Sequence, residues 1–319
     1  MYNVFVTRKL PGQGLERLRP LCNVTINPED RNITKEELLA ILPEQDALIS
    51  MLSDPIDSEV IEAGSKLKVI ANYAVGFNNI DVAAASKQDI VVCNTPDVLT
   101  NASADFAWAL LMSTARRVVE GDAMTRSGQF TGWAPELLLG AEIYGKTLGI
   151  IGAGRIGQGV AKRAQGFDMR ILYHNRHRLP YNVEKAYHME YATLESVLKE
   201  SDFVSLHCPL TPETKHMIGA NELRAMKPTA ILINTSRGPV IDETALVQAL
   251  REGSIFGAGL DVFEDEPALK PGLAQLPNVV LAPHIASAAA ETRSNMVEIV
   301  VDAVLAVLQG QSPQNAVNR

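Results

Sequence analysis

Cysteine is scarce in this chain: only Cys22, Cys93 and Cys208 occur, far apart and with no CxxC pair. That spacing excludes a cysteine metal cluster, and so small and odd a count suits a reducing cytoplasm. No long uninterrupted apolar run is present. The most hydrophobic late stretch, Met296 to Leu308, is broken by Glu298 and Asp302 and is too short to span a bilayer, so a buried helix is expected there. The opening YNVFVTRKL reads as a strand, with no apolar segment of a signal peptide behind it. Positive charge is in deficit too. With 29 Lys and Arg against 37 Asp and Glu, the formal net charge is -8, which would repel a nucleic-acid backbone over most of the surface. A soluble cytoplasmic protein that binds neither membrane nor nucleic acid is the expectation.

What is present is the material of a well-cored globular chain. Its 319 residues, 46% hydrophobic and 21% charged, suffice for two domains. Short β-branched runs alternate with helical patterns. Val4–Thr7, Ala47–Met51, Lys68–Asn72 and Ile90–Asn94 are strand candidates, and Thr34 with Glu37 fits a helix-opening capping box. After a long apolar helix near Ala102–Arg117, a second series begins, with strands at 147–151, 170–173, 203–206, 230–234, 255–260 and 279–281. The alternation predicts an α/β protein: two Rossmann-like, doubly wound parallel-sheet domains. The last helix, roughly Ala288–Gln309, has no partner in the second series. It is expected to return to the first domain, giving a discontinuous domain of residues 1–98 and 287–319 around a dinucleotide-binding domain of 99–286.

The strand TLGIIG runs into Gly152-Ala153-Gly154-Arg155-Ile156-Gly157, which opens a helix. In such a turn the first glycine permits the bend, the second admits a pyrophosphate and the third lets helix and strand pack closely. About twenty residues on, NAD-preferring sites carry an acidic residue for the ribose. Here the strand ends in Asn175, Arg176, His177 and Arg178. A neutral side chain with two arginines tolerates a 2′-phosphate, so NADP(H) is the expected coenzyme, with NAD(H) the alternative. Three later strands end in INTSRG, LDVFEDEP and LAPHIAS, placing Arg237, Glu266 and His284 at strand ends. A cation to hold a carboxylate, an imidazole to give a proton and a carboxylate to keep it charged are what reduction of a 2-oxo acid requires. No metal is needed.

These motifs, in this order with VGFNNID and CPLTPET, resemble the D-isomer-specific 2-hydroxyacid dehydrogenase family, most closely its glyoxylate/hydroxypyruvate reductases. The resemblance implies that Arg237 binds the substrate carboxylate, that His284 is the acid/base and that Glu266 tunes it. It implies Asp261 at the nicotinamide carboxamide, with Thr235 and Ser236 beside it and Cys208 and Thr214 in the cofactor loop. Val75 and Gly76 would offer backbone amides to the substrate, while Leu52 and Trp133 would narrow the pocket, Trp133 across a homodimer. Glyoxylate or hydroxypyruvate is then the expected substrate. Two alternatives stay open, a reductase of 2-ketogluconate or another bulkier 2-oxo acid, and a dinucleotide-sensing corepressor-like protein.

Overall fold

A computed structural model describes residues 1–319. The chain divides into two compact units, Met1–Leu99 with Ser287–Arg319, and Thr100–Ala286. No helix is long and apolar enough to cross a membrane.

In the first unit, β1 (Tyr2–Val6), β2 (Cys22–Ile26), β3 (Ala47–Ser50), β4 (Val69–Asn72) and β5 (Val91–Cys93) form one parallel sheet in the order β2-β1-β3-β4-β5. Its central strands are buried along their whole length, as in a sheet covered on both faces. Leu48, Ile70 and Val92 pack with Leu38, Val60 and Ile61 from flanking helices. The capping box is formed: Thr34 accepts from the Glu37 amide, and the Glu37 carboxylate accepts from the Thr34 amide. The last helix, Ala290–Leu308, does return to this unit, packing on β4 and burying Met296, Val300, Val301 and Val304. The two acids that interrupt its apolar run lie outside, paired with Arg17, and Asp302 is 2.6 Å away. The tail beyond closes the sheet edge, where the Val317 amide donates to the Val92 carbonyl at 2.8 Å.

The second unit holds β6 (Thr147–Ile151), β7 (Arg170–His174), β8 (Met189–Tyr191), β9 (Phe203–Leu206), β10 (Ile231–Asn234), β11 (Gly257–Leu260) and β12 (Val279–Leu281). They form a parallel sheet in the order β12-β11-β10-β9-β6-β7-β8. Side chains alternate between its two faces. Leu206, Leu232 and Leu260 point into one core with Val197 and Leu246, whereas Ile150, Ile231 and Ile233 face Trp108, Val160 and Ala104. The helix Thr100–Ala115 lies on that second face, against β10, β11 and β12. The strand order reverses between β6 and β9. At such a switch point the connections leave to opposite faces and open a crevice at the carboxyl ends of the strands.

Two strands have no counterpart in the sequence reading. Both β2 and β8 are edge strands of their sheets, and most of their residues are partly or fully exposed, so neither shows a continuous apolar run. The first sheet also differs in detail from the second. Its order is the five-stranded variant of the doubly wound fold, with the reversal between β1 and β3.

Candidate active site

The glycine turn after β6 lies at the switch point. Gly152 has φ +96°, and a Cβ there would sit 2.4 Å from the Cys208 nitrogen. A Cβ on Gly157 would sit 2.4 Å from the Gly152 carbonyl oxygen. Packing within the chain therefore demands both glycines. Gly154 is different: a Cβ at that position would meet nothing within 4 Å, and φ is an ordinary -74°. Its bareness leaves space above the first turn of the helix Arg155–Ala164, whose opening amides have no side-chain cap. Unpaired N–H groups and the positive end of the helix dipole favour phosphate there. At the end of β10, the Thr235 hydroxyl oxygen is buried with no hydrogen-bond partner. A buried hydroxyl is seldom left unmatched, and a bound polar group would satisfy it. The open cradle and the orphaned hydroxyl fit a dinucleotide.

Around the cradle, most of the expected cofactor residues shape loops. The Thr214 hydroxyl donates to the Pro209 carbonyl at 2.7 Å and accepts from the Thr211 amide at 2.8 Å, closing the loop that Cys208 begins. Burial pushes the Cys208 thiol up to about 11, so it stays protonated. Ser236 donates to the Asn234 side chain at 2.8 Å. Asn175 accepts from the Ala153 amide at 2.7 Å, tying the end of β7 to the glycine turn. Of the cations after it, Arg178 is already engaged by Glu184, at 2.8 and 2.9 Å through two nitrogens. Arg178 and the Tyr173 hydroxyl hold the Glu184 carboxyl down to about 2. Arg176 and His177 are exposed.

Arg237, Glu266 and His284 follow β10, β11 and β12, three adjacent parallel strands, and their loops converge. His284 Nδ1 lies 3.0 Å from one Glu266 oxygen, and the Phe263 amide donates to the other at 2.9 Å. Partial desolvation alone would raise the Glu266 carboxyl. The hydrogen bond and charge of His284, the Phe263 amide and the charge of Arg237 outweigh it, and the carboxyl lies below its ordinary range. An ionised carboxylate only accepts, so Nδ1 carries the proton between them and Nε2 is the nitrogen turned away. Burial lowers the Arg237 guanidinium, opposed by the Glu266 charge. Its Nη1 donates to the Ser236 carbonyl at 2.7 Å, and Asn234 donates to the Arg237 carbonyl at 2.9 Å.

His284 has φ +55°, a left-handed conformation that an imidazole-bearing residue adopts only when its surroundings impose it. Asp261 imposes it. Its carbonyl accepts from the His284 amide at 2.9 Å, and its carboxylate oxygens accept from the Ile285 and Ala286 amides at 2.8 Å each. Asp261 is fully buried, so here it anchors the histidine loop. The family resemblance implies a place for it at the nicotinamide carboxamide, and nothing in the sequence signals this second task.

In the first unit, Leu52 follows β3, and Val75 and Gly76 follow β4. Asn94 and Asn72 hold the carbonyls of Val75 and Gly76, each at 2.8 Å, which sets the orientation of both peptide groups. Trp133 belongs to the second unit and is 85% exposed.

A parallel sheet with a glycine cradle at its reversal, and a histidine–carboxylate pair beside a half-buried arginine, defines a dinucleotide-dependent oxidoreductase. Residues 108–286 match the family model of the D-isomer specific 2-hydroxyacid dehydrogenase NAD binding domain, so a nicotinamide dinucleotide is the cofactor. The chain belongs to the D-isomer specific 2-hydroxyacid dehydrogenase family. It is 52% identical to a glyoxylate reductase of Thermococcus gammatolerans, over 99% of this chain and 96% of that protein. A crystal structure from Thermus thermophilus superposes with a TM-score of 0.93 at 48% identity, covering 99% of both chains. An NADPH-dependent glyoxylate/hydroxypyruvate reductase from Sinorhizobium meliloti, solved with NADP and malonate, gives 0.87 at 34% identity, over 99% of this chain and 96% of that one.

The glycines separate fold from binding. Gly154→Ala is expected to keep stability within about 0.5 kcal/mol, yet to weaken coenzyme binding roughly tenfold, about 1.4 kcal/mol. Gly152→Ala should lose both. Urea denaturation and coenzyme fluorescence titration measure the two effects, and equal affinity in wild type and Gly154→Ala would reject the cradle.

Proposed function

We propose that this protein reduces a small 2-oxo acid, glyoxylate or hydroxypyruvate, to the D-2-hydroxy acid. The observation that carries the reading is the 3.0 Å pairing of His284 Nδ1 with Glu266. It leaves Nε2 to face a substrate carbonyl while Glu266 fixes the tautomer and orientation of the ring. When bound, the reduced nicotinamide supplies the hydride to the carbonyl carbon. His284 Nε2 gives its proton to the carbonyl oxygen, and solvent then restores it. Arg237 binds the substrate carboxylate as a fork of donors. Leu52, Val75 and Gly76 are assigned to substrate, making the first unit the substrate-binding domain, and Thr235, Ser236 and Asp261 to the nicotinamide side of the coenzyme. The relatives named as glyoxylate reductases support the choice of a short substrate.

NADP(H) is the proposed coenzyme. Arg176 is the principal phosphate contact, because Glu184 already holds Arg178. The protein is assigned to the cytoplasm, in keeping with three buried free thiols. It is also proposed to work as a homodimer. Between residues 118 and 144, Val118, Val119, Phe130, Trp133, Leu139 and Tyr144 are each at least half exposed. Apolar surface gathered in one segment to that extent marks an interaction face. A groove lined by Thr114, Arg117, Val119, Phe256, Leu276 and Val280 adjoins its start. Trp133 would then narrow the partner's pocket.

His284→Ala is expected to lower kcat by ~10²–10⁴ with coenzyme affinity retained, while Arg237→Ala mainly raises KM for the oxo acid, by roughly 10–100-fold. Steady-state rates with glyoxylate, hydroxypyruvate, pyruvate and 2-ketogluconate, each with NADPH and NADH, test the substrate. Turnover confined to 2-ketogluconate would overturn the short-substrate reading, and turnover of none would overturn the enzyme reading.

Asn175→Asp combined with Arg176→Ala should shift the kcat/KM ratio toward NADH, and Arg176→Ala should move it further than Arg178→Ala does. An unmoved ratio rejects the phosphate contact. Light scattering is expected to give twice the 34.6 kDa chain mass. Trp133→Ala should raise kcat/KM for pyruvate relative to glyoxylate while the dimer persists.

A further inference from the structure

Behind the His284–Glu266 pair lies a second group of acids. Glu243 opens the helix Glu243–Arg251, which the Arg237 loop enters, and Glu264 lies two residues before Glu266. Each carboxylate reaches the other's backbone. The Glu264 amide donates to Glu243 Oε1 at 2.7 Å, and the Glu243 amide donates to Glu264 Oε2 at 3.3 Å. Between them the two loops are in backbone contact, since a Cβ on Gly238 would overlap the Phe263 carbonyl at 1.9 Å. The Phe263 amide in turn holds Glu266. Glu264 continues outward, with its Oε1 2.8 Å from His216 Nε2 in the loop that leaves the cofactor segment and its Oε2 3.6 Å from Lys270. Lys270 also pairs with Asp265 at 2.7 Å.

We propose that Glu243 and Glu264 are positioning residues, a reciprocal clasp that locks the loop bearing Glu266 onto the loop bearing Arg237. The proposal rests on the roles given above to Arg237, Glu266 and His284. Its physical content is over-determination. A loop that must hold a carboxylate within hydrogen-bond distance of an imidazole needs support beyond its own residues. Here two amides and two carboxylates at a separation of 21 residues provide it.

The clasp is also sensitive to protonation. Glu243 is 1% exposed, and its second oxygen is buried without a partner. Burial pushes its carboxyl up to about 7, the Glu264 amide and Lys270 pull the other way, and the charges of Glu264 and Asp265 add to the rise. The groups that face it are thus Glu264, Asp265 and Lys270, with His216 beyond Glu264. Because the folded value lies above the ordinary one, the neutral form is the one the fold favours. The stability this contributes is complete at low pH and is lost as pH rises to about 7. Ionised, Glu243 would stand beside a second carboxylate and loosen the clasp.

Three measurements on the full chain test this. Glu243→Gln keeps the acceptor for the Glu264 amide and cannot ionise. Its kcat at pH 6 should stay within about twofold of wild type, and its decline above pH 7 should be shallower. Glu243→Ala should lose kcat about tenfold or more, equivalent to about 1.4 kcal/mol, with coenzyme Kd changed little. The ring ¹⁵N chemical shifts of His284, which report its bond to Glu266, should move in Glu243→Ala and not in Glu243→Gln. Wild-type kcat and unmoved His284 shifts in Glu243→Ala would overturn the proposal. So would a Glu243→Gln pH profile superimposable on wild type, which decides the matter if Glu243→Ala does not fold. If the wild type reduces no 2-oxo acid, the proposed function falls, and the His284 shifts alone judge the clasp.

Discussion

A buried carboxylate at the end of β11 holds the rim of the second sheet in working order. Asp261 cannot reach water, and all its acceptor oxygens, carbonyl included, are spent on the three consecutive amides of His284, Ile285 and Ala286. Removing a buried acceptor leaves donors unpaired at a cost of about 1–3 kcal/mol each. That sum is large enough to hold His284 in a left-handed backbone conformation, which costs of order 1–3 kcal/mol. The direction of the imidazole, and through it the pairing with Glu266, follows from this anchor.

Electrostatics then divides labour between two charged groups and a histidine that follow adjacent strands. Arg237 is half-buried, and the desolvation destabilises its proton, a state that any nearby anion would relieve. Glu266 is kept ionised by its neighbours against the partial desolvation of its carboxyl. A cation that gains from an anion and an anion that holds an imidazole are complementary demands. A parallel sheet meets both because every strand of it ends on the same rim.

The coenzyme end follows another logic. Gly152 and Gly157 are required by the chain's own packing, whereas Gly154 answers to no protein neighbour, so one motif holds glycines of two kinds. Asn175 stands where an acidic residue is usual and bonds the turn itself, which removes a negative charge without losing the tie between β7 and the cradle. Glu184 draws Arg178 back toward the sheet, so the two arginines that look equivalent in sequence are not equivalent in surroundings.

Most strands, the capping box at Thr34 and the return of the last helix to the first unit were legible from residue order, because each depends on local periodicity or on an unpartnered apolar face. The edge strands β2 and β8 were not, since exposed strands need no continuous apolar run. The types of residue at the site, and their places after strands, could also be read. Their bonds could not. Arg178 with Glu184, Glu243 with Glu264, and Asp261 with the histidine loop lie 6, 21 and 23–25 residues apart, and no local pattern pairs them. Local order determined which groups the sheet would carry to its rim. Which of them bond one another was decided by long-range packing, because a hydrogen bond a few ångströms long depends on the arrangement of loops that no single segment specifies.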